Sequence, residues 1–139
     1  MKQRGDDKTE RLIVEIDGDL LQELLENARV IHPREVILIL RGKIKRKRGM
    51  RRVSISDYLL PPQALHGTSS SSFNLHMLPL DFSMVGTLHS HPSGLLEPSV
   101  TDLNQMVGLF AVIVAPPYRG VGDVAVFDRM GRPQTIEVK

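Results

Sequence analysis

Apolar residues recur at helical spacing early in the chain. Leu20, Leu21, Leu24, Leu25, Ala28 and Ile31 fall on one face, with polar residues between them. Asp19 is placed to cap this helix, and Pro33 sets its end near Ile31–His32, because the residue before a proline avoids the helical region. The pattern then changes: Glu35 leads a continuous apolar run, Val36–Leu40, that reads as a buried strand. A basic turn and a partner strand through Val53-Ser-Ile-Ser follow. Further strands are predicted at Ser71–Met77, Met84–His89, Leu109–Ala115, Asp123–Phe127 and Gln134–Val138, and a second helix at Ser99. This alternation describes an α/β fold in which helices cover a sheet.

The chain has 139 residues, the size of one domain, with no repeat and no linker that would divide it. Folding at this size buries roughly two-thirds of the extended-chain surface, enough for a core. Charged residues are 24% and hydrophobic ones 41%, which excludes an intrinsically disordered chain. The absence of cysteine excludes disulfides, a thiolate nucleophile and cysteine-based metal sites. The first ten residues are polar throughout and read as a flexible tail, and Thr68–Ser72 reads as a short polar loop or strand edge. Neither Val36–Leu40 nor Leu109–Ala115 approaches the ~18 residues of a membrane span, so a soluble cytoplasmic protein is expected.

Eighteen Lys and Arg against 16 Asp and Glu leave a formal charge of +2, too little to imply a nucleic-acid partner from the whole chain. The distribution is uneven, because Arg41, Lys43, Lys45, Arg46, Lys47, Arg48, Arg51 and Arg52 follow one another without an intervening acid. Arg41–Arg52 reads either as a solvated hairpin tip or as a contact for phosphates or an acidic surface. No aromatic interleaves it, which argues against a base-stacking platform.

The segment from Gly86 to Gly94 carries the chemistry. His89 and His91 stand two apart at the end of a predicted strand, so both imidazoles point to one side as a pair of nitrogen ligands. Pro92 ends the strand, Gly94 permits a turn, and Asp102 on the first turn of the next helix can supply a carboxylate. Two histidines and one carboxylate leave a fourth position open, the pattern of a catalytic zinc site. Ser99 and Asp102 also fit a helix capping box, which places a different demand on the Asp102 side chain. His32, His66 and His76 have no comparable partners and fall to loops or strand faces.

His89-x-His91, then ten residues, then Asp102, with Ser99 three before it, resembles the motif of the JAMM (MPN+) metalloproteases. That family also uses a glutamate upstream, near the start of the strand after the first helix, a place held here by Glu35 in Pro33-Arg-Glu35. One departure is that Val36-Ile37-Leu38 stand where family members often have glycine. The resemblance is to the small single-domain prokaryotic, archaeal-type members. It implies one domain over the chain, with a three-layer mixed sheet covered by helices, similar to cytidine deaminase. Read alone, Glu35 could instead point outward and pair with Arg34 or Arg41.

The resemblance also implies a mechanism. One Zn2+ held by His89, His91 and Asp102 would acidify water, Glu35 would act as general base, and Ser99 would donate to the oxyanion. The bond hydrolysed would be a peptide or isopeptide bond at the carboxyl terminus of a ubiquitin-like or sulfur-carrier protein, its extended tail bound along a sheet edge. Two other readings stand beside it. One is a non-catalytic MPN scaffold, and the other is a DNA-repair-associated relative with the same metal motif, which would use Arg41–Arg52. The short stretch after Asp102 leaves little room for the second insertion of larger family members.

Overall fold

A first strand, β1 (Arg11–Ile16), leads directly into the long helix α1 (Gly18–Ile31) of a computed structural model that describes residues 11–61 and 83–139. Asp17 rather than Asp19 caps α1: its extended backbone puts its carboxylate where it accepts from the Asp19 amide. Two aspartates flank Gly18, and only the first lies ahead of the helical backbone. Leu21, Leu24, Leu25 and Ala28 are buried and Leu20 and Ile31 partly so, the face predicted from their spacing. Each fully buried leucine contributes roughly 1.5–3 kcal/mol. α1 ends at Ile31, just before the cis His32–Pro33 bond.

The remaining elements are β2 (Ile37–Lys47), β3 (Met50–Leu59), β4 (Met84–Ser90), a single-turn helix α2 (Val100–Asn104), β5 (Phe110–Val114), β6 (Val124–Asp128) and β7 (Pro133–Val138). The strands pair in the order β1-β3-β2-β4-β5-β6-β7, and β7 also pairs with β1. The β1–β3, β1–β7 and β4–β5 pairs are parallel and the others antiparallel, so the α/β fold carries a mixed sheet. β1 has no counterpart among the sequence-predicted elements. Its Leu12, Val14 and Ile16 join the α1 leucines in the main core. The predicted strand at Ser71–Met77, the loop Thr68–Ser72, His66 and His76 lie outside the described residues.

The first half of β2, Ile37–Leu40, is buried on both faces. Leu38 and Leu40 join the main core, while Ile37 and Ile39 form a second cluster with Met84 and Val107. Both neighbours of β2 shift register around Leu40–Gly42. Gly42 is needed there, because a Cβ would lie 2.0 Å from the Ser54 carbonyl oxygen. The two ends of β2 therefore serve different surroundings: Ile37 pairs with His89, and Lys47 pairs with Met50 at the far hairpin turn.

Candidate metal centre

His89 lies in the last turns of pairing of β4, between Ile37 of β2 and Ile113 of β5, and is 2% exposed. His91 follows the strand, and its amide still donates to the Val114 carbonyl, so it leaves β4 in a fixed direction. The chain then turns, with the Gly94 amide donating to the His91 carbonyl, and comes back to α2. Ser99 is the N-cap of α2 and Asp102 its third residue. Sheet and helix end thus meet at one carboxylate.

Asp102 divides its two oxygens. Oδ2 lies 2.8 Å from His91 Nε2 and accepts from the Ser99 amide at 2.8 Å, while Oδ1 lies 3.3 Å from His89 Nδ1. Ser99 Oγ accepts from the Asp102 amide at 3.0 Å, completing the capping box. The carboxylate therefore caps α2 and faces both imidazoles at once.

The electrostatics follow from these contacts. Burial alone would raise the Asp102 carboxyl, but the His91 hydrogen bond, the Ser99 amide and the nearby imidazoles bring it down to about 2. The hydrogen bond to Asp102 raises His91. His89 is pushed down by burial, which outweighs the attraction of Asp102.

His91 Nδ1 donates to the Leu95 carbonyl at 2.9 Å, which fixes its ring. With the proton held on that side, neutral His91 aims the lone pair of Nε2 at the carboxylate. Two electron-rich atoms 2.8 Å apart require positive charge between them, either a proton or a metal ion. His89 Nε2 is buried and has no hydrogen-bond partner. Such an orphan costs about 1–3 kcal/mol. Among the described residues no group of three or more ligating side chains is set to hold an ion as it stands, and here each imidazole faces the Asp102 carboxylate directly. Their chemistry, two imidazoles and a carboxylate, suits zinc.

An open cleft of about 650 Å³ lies over this cluster, lined by Glu35, His91, Ser99 and Asp102 together with Pro33, Leu95 and Glu97. Glu35 is exposed and precedes β2 by two residues, instead of leading the strand as its sequence context predicts. The pairing with Arg41 is not made: Arg41 binds Asp57 with two bonds of 2.7 Å. Among the described residues Glu35 forms no ion pair, and its charge acts on both His89 and His91. The structure thus brings together all five residues singled out from the sequence. His32 lies elsewhere, sharing a 2.9 Å hydrogen bond with the Tyr118 hydroxyl.

Two contributors have no sequence signal. Ser90 is fully buried; its Oγ accepts from the Val36 amide at 2.8 Å, and its own amide donates to the Val36 carbonyl at 3.1 Å. Both backbone groups of the residue after Glu35 are thereby tied to the residue between the two histidines. The Leu95 carbonyl, which orients His91, is the second.

Comparison with known proteins identifies the family and the fold. Residues 17–127 match the family described as prokaryotic homologs of the JAB domain. A curated relative from Haloferax volcanii, described as a probable metalloprotease, is 34% identical over 131 residues, covering 92% of this chain and 81% of its own. A JAB1/MPN domain protein from Archaeoglobus fulgidus superposes with a TM-score of 0.59 at 27% identity, over 89% of this chain and 97% of that one. A structure described as a JAMM metalloprotease-like zinc site in the proteasome and signalosome gives a TM-score of 0.60 at 26% identity, over 92% and 98%. This chain, with its histidine pair and aspartate gathered at the end of β4, belongs to the prokaryotic JAB family, the small JAMM/MPN domains.

Proposed function

We propose that this chain is a zinc-dependent peptidase of the cytoplasm, hydrolysing peptide or isopeptide bonds at the carboxyl terminus of ubiquitin-like or sulfur-carrier proteins. One observation carries the reading: the Asp102 carboxylate gathers His89 and His91 beneath a cleft that also holds an unpaired carboxylate, Glu35. A non-catalytic scaffold would have no use for Glu35 in that place.

His89, His91 and Asp102 would hold the zinc ion, which when bound supplies Lewis-acid charge for activating water and polarising a carbonyl. Glu35 takes a proton from the attacking water and returns it to the nitrogen of the leaving amine as the C–N bond breaks. Ser99 Oγ already accepts from the Asp102 amide, so its own O–H remains to donate to the substrate carbonyl oxygen as charge develops there. The Leu95 carbonyl and Ser90 keep His91 and the Glu35 segment in place. Each described strand has a neighbour on both sides, so instead of adding to a sheet edge an extended tail would lie in the cleft, held by main-chain hydrogen bonds to its walls.

The test is incubation of zinc-loaded protein with a panel of ubiquitin-like and sulfur-carrier fusions bearing unrelated leaving groups. A cut after the carrier's last residue, abolished by chelator and restored by zinc, is expected. Proline in the tail should reduce kcat/KM more than a change of leaving group does. No cleavage of any fusion would defeat the substrate assignment.

A further inference from the structure

The basic segment Arg41–Arg52 has no part in this chemistry, and its charges are not all accounted for by the fold. Arg41 binds Asp57, and Arg52 binds Glu15 and Glu137. Lys43, Lys45, Arg46, Lys47 and Arg48 are exposed, and no acidic side chain among the described residues pairs with them. The first ten residues carry three basic and three acidic side chains and add no net charge.

The register concentrates these charges. Lys43, Lys45 and Lys47 alternate onto one face of β2, about 6.7 Å apart, comparable to the step between phosphates of an extended nucleic-acid strand. Lys45 stands opposite Arg52, and Arg46 opposite Arg51. Arg52 is offset by Glu15 and Glu137, so beside it Lys45 keeps its charge for solvent or a ligand. Arg48 occupies the tight turn at φ 50°, where Asn or Gly is the ordinary choice, and so adds a cation at the very tip.

The composition of the tip selects its partner. A protein–protein interface needs an apolar or aromatic anchor, and the only large apolar side chain exposed on the tip is Ile44, at 38%. A phosphate backbone needs none, because its affinity comes from counterion release. β2 runs roughly 30 Å from Ile37, beside His89, to Lys47, so the tip can be occupied while the metal centre is free.

We infer that the β2–β3 hairpin tip is a sequence-independent nucleic-acid binding surface that contacts phosphates through Lys43, Lys45, Arg46, Lys47 and Arg48. It acts independently of the proposed hydrolysis. The experiment is fluorescence anisotropy of a labelled 20-base-pair DNA duplex with the full chain across a salt series. Five phosphate contacts imply a slope of log K against log[salt] of about −4.5, or an approximately 500-fold loss of affinity between 50 and 200 mM salt. The Lys43→Gln/Lys45→Gln/Lys47→Gln variant should show a slope near −1.8, about a 12-fold loss over the same range. Its circular dichroism and metal content should be unchanged, and a Lys139→Gln control should bind as the parent does. Absence of duplex binding at 50 mM salt would make the tip a solvated edge and overturn the proposal. Competition by poly-glutamate as effective as by unlabelled duplex would overturn it in favour of an acidic protein partner.

Discussion

At the scale of single residues, the site turns on how Asp102 shares its oxygens between the Ser99 amide and the two imidazoles. Ser99 has a double role on the same geometry, with Oγ as helix cap and O–H as donor to substrate. Ser99→Ala is expected to cost on the order of 10²-fold in kcat, the scale of one oxyanion donor. Loss of the cap should remove about 1 kcal/mol of stability. A stability loss with kcat preserved would leave Ser99 as a cap only. Chelated protein provides a second check. Asp102 titrates near 2 instead of 3.8, so its contribution is present above about 3.8 and lost as pH falls towards 2. His91 is raised, so its contribution is present below 6.5 and lost as pH rises through its folded value. Denaturant unfolding of metal-free protein and Asp102→Asn should therefore differ most between about pH 4 and 6.5, by roughly 2 kcal/mol. A difference independent of pH would contradict this pairing.

At the scale of elements, the site depends on β4 holding both its own histidines and the segment before β2. Ser90→Ala would leave the Val36 amide buried without its partner, at a cost of about 1–3 kcal/mol. Because Val36 adjoins Glu35, kcat should fall more than KM rises, with zinc content retained; equal kcat at full zinc loading would confine Ser90 to stability. This link joins residues 54 apart in sequence, which is why periodicity does not reveal it. The face of α1 was legible from spacing alone, since burial of a helix stripe is a local matter. Its cap shifted by two residues because Asp17 and Asp19 are the same residue type around one glycine. β1 was legible in its strand-forming residues Leu12–Ile16 and the Asp17-Gly18 turn that closes it, but its partners in β3 and β7 are distant in the chain. His89, His91 and Asp102 were legible because ligand types at that spacing are rare, whereas Glu35 and Ser99 were singled out only through the resemblance to the JAMM family. That Asp102 could serve cap and imidazoles together required the positions of individual oxygens.

Across the whole molecule, β2 separates two kinds of chemistry. Its first residues lie beside His89 under the cleft, and its last carry exposed cations to the opposite end. No helix among the described residues is long and apolar enough to cross a membrane. The central claim is that His89, His91 and Asp102 hold a metal while Glu35 moves the proton. Glu35→Gln separates the two, because the amide keeps the shape of the side chain and cannot accept the proton. The most direct measurement is elemental analysis and carrier-fusion cleavage on the same preparations of parent, Glu35→Gln and His89→Ala/His91→Ala protein. Expected are about one zinc per chain in parent and Glu35→Gln, little in the double variant, and cleavage by the parent alone. Undiminished zinc in the double variant, or near-parent cleavage by Glu35→Gln, would contradict it.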